Sequence, residues 1–214
     1  MTRQPLSRER VVAEALRIVD RDGLDALTMR RLGGALGVEA MSLYHHVPNK
    51  AALLDAVVEA IMREDVDHAT FGDGPWTDRL QHIAIGYRGL LLRHPNAVAI
   101  VATHPLTTPG SMLIVERCLG TLTEGGLEPA EALAALNAVV LWTLAYVLAE
   151  VGRLPGAPPG ASPEEAHDAI AALAPAEFPL VTAAVAQTTW GLPDGEFRFG
   201  LEAMVRGLAT VLGD

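Results

Sequence analysis

A single cysteine, Cys118, among 214 residues excludes an intramolecular disulfide framework and fits a reducing compartment, where the thiol serves as a packing residue. The opening MTRQPLSRER lacks the apolar run of a secretion signal, so a cytoplasmic protein is expected. No window supplies the roughly 18 uncharged apolar residues of a membrane span. The nearest, Ala130 to Leu148, is interrupted by Asn137 and flanked by Glu131 and Glu150, so a buried or interfacial helix and no membrane partner are expected. Strand-like alternation and internal repeats are also missing, which leaves an all-α class. There is no nucleophile elbow, phosphate loop, metal-ligand motif or paired-carboxylate constellation. Cys118, His45, His46 and Glu150 therefore have no catalytic partners in sequence, and no enzyme, cofactor or metal is expected.

What is present is apolar surface and uneven charge. Half of the residues are hydrophobic, enough for two modest cores or one elongated core without staples. The net charge of −10 conceals an asymmetry. Residues 1–50 hold eight Lys/Arg against six Asp/Glu, a net +2, whereas the remaining 164 hold eight against twenty, a net −12. A small nucleic-acid-binding head on a larger acidic body has this charge pattern.

Helix signals punctuate the whole chain. Ser7 is placed to cap a helix to about residue 22, which Gly23 stops. Thr28 caps a short helix whose Leu32 and Leu36 share a face, and Gly37 supplies the permissive backbone of a turn. A third helix is predicted over about 40–46 and ended by Pro48; Asn49 then caps a long amphipathic helix over 50–65. Thr77 is the next candidate cap. Further helices are predicted near 77–93, 96–103, 109–124, 129–152, 164–173, 176–189 and 194–212, separated by Gly- and Pro-rich punctuation such as LPGAPPGASPEE.

Two short helices joined by a glycine-containing turn form a helix-turn-helix, whose second helix enters the DNA major groove. At 100° per residue, Ala40, Leu43 and Val47 fall on one side, ready to dock on Leu32 and Leu36. Met41, Ser42, His45 and His46 fall on the other, with Tyr44 at the border. That outward face is small and hydrogen-bonding, suited to base edges and phosphates.

The run LTMRRLGGALGVEAMSLYHHVPNKAALLDA, Leu27 to Ala56, resembles the DNA-binding signature of the TetR family of bacterial transcriptional repressors. WTDRL, THP, EALAALNAVVLWTLAYVLAE and FRFGLEAMVRGLATVL resemble, in order and spacing, the regulatory domain of its tetracycline-repressor branch. The resemblance implies a three-helix DNA-binding domain over 1–49, a connecting helix over 50–66, and a larger α-helical ligand-binding and dimerisation domain over 67–214. It further implies that Arg30 reads guanine, that Ala40, Met41 and Ser42 meet base edges, and that Thr28, Tyr44, His46 and Lys50 hold phosphates. Ala40 and Met41 cannot bind adenine bidentately, so their readout would be apolar, against thymine methyls, and the operator would differ from the tetracycline one.

By the same resemblance, the helices near 129–152 and 194–212 form a four-helix bundle across a twofold axis, giving a homodimer on double-stranded operator DNA. Their small residues Ala132, Ala134, Ala135, Ala138, Gly200 and Gly207 permit close packing. The middle helices would enclose a small-molecule effector, with His82, Ile83, Tyr87, Thr103, His104, Cys118, Asn137 and Trp142 as candidate ligand-binding residues. Tetracycline-branch proteins hold a drug-bound magnesium with His, Gln or Glu groups; the matching positions here are Val66, Ile83, Ile100 or Val101, Cys118 and Ala149, while Tyr87, Thr103 and Pro105 match. That loss points to a more apolar effector without metal. A three-histidine site from His68, His82 and His104 lacks helix-site spacing. The implied mechanism is a ligand-shifted two-state dimer whose heads move apart. Repression is implied by the family alone, leaving activation and a metal-dependent effector as alternatives.

Overall fold

The computed structural model describes residues 5–66, 74–104, 106–152, 163–186 and 194–213. Among these it is all-helical. Helices α1 (Arg8–Asp22), α2 (Met29–Leu36), α3 (Ala40–Leu43) and α4 (Lys50–Val66) come first. Then follow α5 (Trp76–Arg93), α6 (Val98–Thr103), α7 (Pro109–Glu124), α8 (Pro129–Val151), α9 (Pro163–Ala171), α10 (Pro179–Val185) and α11 (Asp194–Leu212).

The local signals of the head act as read from sequence. Ser7 accepts from the Arg10 N–H at 3.3 Å, Thr28 from the Arg31 N–H at 3.1 Å, and Asn49 from the Ala52 N–H at 2.8 Å. Gly23 and Gly37 both carry positive φ, of 83° and 69°. The helix expected over 176–189 is shorter, Pro179–Val185, since the proline disfavours helix at Phe178 before it. Two other expectations fail for identifiable reasons. The third helix is shorter than 40–46: after Leu43 the chain continues as tight turns, with the His46 N–H donating to the Leu43 carbonyl at 2.9 Å, as Val47 swings into the core ahead of Pro48. Thr77 does not cap α5, which begins at Trp76 after Pro75, because the Trp76 N–H donates to the Gly125 carbonyl at 3.1 Å and its ring is buried beneath that turn.

Two apolar clusters organise the molecule. The first gathers Val11, Ala15, Ile18 and Val19 of α1 with Leu27, Leu32, Leu43 and Val47, and with Leu53, Val57 and Ile61 of α4. It continues beyond the head through Leu90, Leu91, Val98, Ile100, Ile114, Leu144 and Val147. The second joins Trp76, Leu80, Ile83, Ala132, Ala135, Val139, Phe197, Leu201 and Val205. Helix α8 contributes to both. By length and composition α8 could cross a membrane; here one face, from Ala132 to Val147, is buried against α5, α6, α7 and α11.

Two polar knots tie these helices at defined places. The Arg88 guanidinium of α5 meets Glu150 of α8 through two hydrogen bonds of 2.8 and 3.0 Å and Asp194 of α11 at 2.6 Å, while lying 4.7 Å from the Phe197 ring centroid. His94, buried at the end of α5, places Nδ1 3.0 Å from both carboxylate oxygens of Asp20 on α1 and Nε2 3.1 Å from Glu64 on α4. Asn96 adds a 2.7 Å hydrogen bond to the Asp20 carbonyl. This His94 latch thus joins α1 to α4 and the end of α5 through polar contacts, beside the apolar core.

Two outcomes follow from this packing. A Cβ on Gly33 would lie 2.8 Å from the Val38 carbonyl oxygen and 3.1 Å from the Ala40 nitrogen, both rigid backbone atoms at the α2–α3 turn. Gly33→Ala should lower stability in urea titration by about 1–3 kcal/mol; an unchanged midpoint would disprove the close approach. For His94, burial opposes the charged ring, but the hydrogen bonds to Glu64 and Asp20 outweigh it and raise its pKa. A raised folded-state pKa means stability that is complete below the ordinary histidine value and lost as pH rises through the folded value. Arg93, whose Nε lies 3.9 Å from Glu64, keeps that carboxylate in a cationic setting. His94→Asn should therefore cost more at pH 6 than at pH 8.5, on the order of 1.5–3 kcal/mol at the lower pH, with pH-dependent denaturation as the check.

Candidate functional site

The tip of the head presents the residues singled out in sequence. Met41 is 71% exposed, and Tyr44, His45, Arg30, Thr28 and Lys50 are exposed as well. Ser42, His46 and Ala40 are half-buried at the edge of the same surface. Beneath them Leu43 and Val47 are fully buried, while Leu36 closes only part of the interface. Thr28 spends its acceptor on the α2 cap and keeps an O–H to donate. Lys50 is the first residue of α4, where unpaired backbone N–H groups and the helix dipole favour an anion. Arg31, next to Arg30, is held by Asp22 at 2.6 Å, as is Arg21 at 2.8 Å. Arg30 has no such restraint among the described contacts and can extend toward a base edge.

The body holds a cavity of about 800 Å³ between α5, α6, α7 and α8, with Met62 of α4 in its wall and exposed residues such as His82, Asn137 and Leu141 at its open side. The structure brings His82, Ile83, Tyr87, Thr103, His104, Cys118 and Asn137 together around it. Apolar residues dominate the remainder, among them Leu90, Val101, Ile114, Val140 and Leu144. Burial pushes the Tyr87 hydroxyl far above its ordinary range and the Cys118 thiol up to about 11, so both are neutral donors at physiological pH. Cys118 has no thiolate character for nucleophilic chemistry. Glu150, the acid considered beside it, is bound by Arg88.

Trp142 is a correction. Expected in the cavity, it faces the opposite way around α8 and stacks on Phe197 at 5.2 Å, with Tyr146 5.4 Å away. A Cβ on Gly200 would sit 2.7 Å from its ring, so Gly200 serves this intramolecular contact between α8 and α11. Of the positions matched to tetracycline-branch ligands, Val101 lines the cavity, Ile100 is core and Ala149 is exposed. His68 and Pro105 lie outside the described residues, as does the Val66 side chain. Among the described residues no three His, Cys, Asp or Glu groups converge as metal ligands.

Sequence reading missed Arg93 and Met62. Arg93 ends α5 at the cavity margin; a charge in the last turn reads as an ordinary helix terminus. Met62 looks like one more core residue of an amphipathic helix. Only the packing reveals that it belongs to the first apolar cluster and to the cavity wall together.

Comparison with known proteins agrees with both halves of this arrangement. Residues 11–57 match the model of bacterial regulatory proteins of the tetR family, and residues 70–212 match the tetracyclin repressor-like C-terminal domain. The class D tetracycline repressor protein of Escherichia coli is 32% identical, over 97% of this chain and 91% of that protein. The transcriptional repressor DrrR1 of Streptomyces coeruleorubidus is 29% identical, over 97% and 78%. Among solved structures, the TetR family protein ActR of Streptomyces coelicolor in complex with actinorhodin superposes with a TM-score of 0.80 at 29% identity, over 99% of this chain and all of that one. A helix-turn-helix head and a cavity-bearing helical body, each matched by its own family model, place this chain in the TetR family of transcriptional regulators, in the branch with the tetracycline repressor-like C-terminal domain.

Proposed function

We propose that this regulator is a cytoplasmic repressor that binds a pseudo-palindromic operator as a homodimer and releases it when a small, mainly apolar effector fills the cavity. One observation carries the reading. Met62, Leu90, Ile114 and Leu144 belong both to the cavity wall and to the apolar cluster that seats α1, α2 and α3. A guest displacing these side chains acts on the packing that orients the head, so occupancy and head position are energetically linked. In this scheme residues 1–49 read DNA, 50–66 transmit, and 67–214 bind effector and partner. ActR, a structural neighbour solved in complex with actinorhodin, supports the reading of a regulator that takes an organic ligand.

The partner surface is a pair of stripes left open by the single chain. On α8, Leu133, Asn137, Leu141 and Ala145 recur every fourth residue and are all exposed, Leu141 to 63%. On α11, Phe199, Ala203, Gly207 and Val211 do the same, with Phe199 at 76% and Val211 at 82% exposure. A second copy supplies a matching pair by twofold symmetry, forming a four-helix bundle and setting two heads at a fixed separation. Leu141→Glu with Phe199→Glu should shift the protein to monomer in analytical ultracentrifugation and weaken operator binding at least tenfold; a dimer that survives both changes removes this interface.

Operator binding is testable through Tyr44 and Lys50. With DNA from upstream of the protein's own gene, Tyr44→Ala and Lys50→Ala should each weaken the specific shift about tenfold, a loss of ~1.4 kcal/mol. Lys50→Ala should also reduce the salt slope of the binding constant by about one. Equal binding of promoter and random DNA by the unaltered protein would refute the assignment.

A further inference from the structure

The body outside the first fifty residues carries twenty carboxylates, yet none of them is among the described residues of the cavity wall. The polar groups that do line it are Arg93, His82, His104, Tyr87, Thr103 and Asn137, with the neutral Cys118 thiol. From this asymmetry we infer that the effector is an apolar organic acid, a ring or chain skeleton bearing a carboxylic or acidic phenolic O–H, bound through the two histidines and Arg93. The inference rests on the effector reading above and refines it.

The histidine geometry gives the chemistry. His82 Nδ1 lies 2.8 Å from the Asp78 carbonyl oxygen, and His104 Nδ1 lies 3.1 Å from that of Ile100. A carbonyl oxygen only accepts, so in each ring Nδ1–H donates, and in the neutral ring Nε2 holds the lone pair. An acidic O–H can donate to that nitrogen or transfer its proton there; the products, imidazolium and carboxylate, form a charge-assisted hydrogen bond. The proton is conserved within the pair, and no outside reagent is needed. An amine cation would find no carboxylate among the described residues of the wall, and Glu64, beside Arg93, is already engaged by Arg93 and His94. His82 and Arg93 are eleven residues apart on α5, about 16 Å along the axis, so donors stand near both ends of an apolar wall that includes Ile83 and Leu90. An elongated skeleton fits between them.

The test uses matched triplets on naphthalene, anthraquinone and decane skeletons, each as the carboxylic acid, its methyl ester and the corresponding primary amine. Each is titrated calorimetrically into the full-length protein and then added to the operator complex. The acid of at least one skeleton should bind about tenfold or more tighter than its ester and its amine, the factor one charge-assisted hydrogen bond supplies, and should release operator. His82→Gln with His104→Gln should erase that preference while leaving operator binding in the absence of any compound unchanged, which shows that the double variant is folded. Esters or amines binding as tightly as acids would overturn the inference and leave the effector reading intact, as would an acid preference that persists in the double variant and in Arg93→Gln. If no compound on any skeleton binds, the effector reading falls and this inference falls with it.

Discussion

Helix α4 is wedged between two bodies that must agree with each other. Its Leu53, Val57 and Ile61 are fully buried in one continuous apolar cluster with α1 on the head and with α5, α6 and α7 beyond it. Close-packed interiors do not deform smoothly; they change by repacking between discrete arrangements. A helix buried along most of its length therefore moves as a unit or not at all. Every other feature of the molecule, from the seating of α3 to the shape of the cavity, is set relative to this shared core.

The polar knots decide which rearrangements remain available. Arg88 binds α5, α8 and α11 together through Glu150, Asp194 and the Phe197 ring, and this part of the body is stiffened by the aromatic cluster of Trp142, Tyr146 and Phe197. His94 reaches Asp20 on α1 and Glu64 on α4 at once from the end of α5, beside the Asn96–Asp20 hydrogen bond and the Arg93–Glu64 pair. The first knot holds helices that belong to the body. The second spans the joint between the first three helices and the body, and its strength depends on a proton.

The cavity sits between these restraints. Its apolar wall borrows Met62, Leu90, Ile114 and Leu144 from the load of the core, so it is not an independent container. Its donors are neutral or cationic, with Cys118 and Tyr87 held protonated by burial. Such a wall combines a mainly apolar lining with a small number of oriented polar groups.

Much of the head was legible before any coordinates. Caps, turns and the outward face of α3 are local properties: Ser7, Thr28, Asn49 and Gly37 act within four residues of themselves, and chain sterics with one hydrogen bond each suffice to specify them. The same locality explains the failures at 40–46 and at Thr77, where Val47 and Trp76 answer to distant packing rather than to neighbouring residues. Several polar members of the cavity wall were named from sequence as polar residues in apolar helices, but Trp142 went to the wrong side because its direction depends on α11, fifty-odd residues later in the chain. Arg93 in the wall, Met62 in two roles, the Arg88 knot and the His94 latch were decided by the tertiary structure alone. The two knots are meetings of side chains separated by 30 to 106 positions, and sequence periodicity carries the face a residue occupies, not the partner that face will meet.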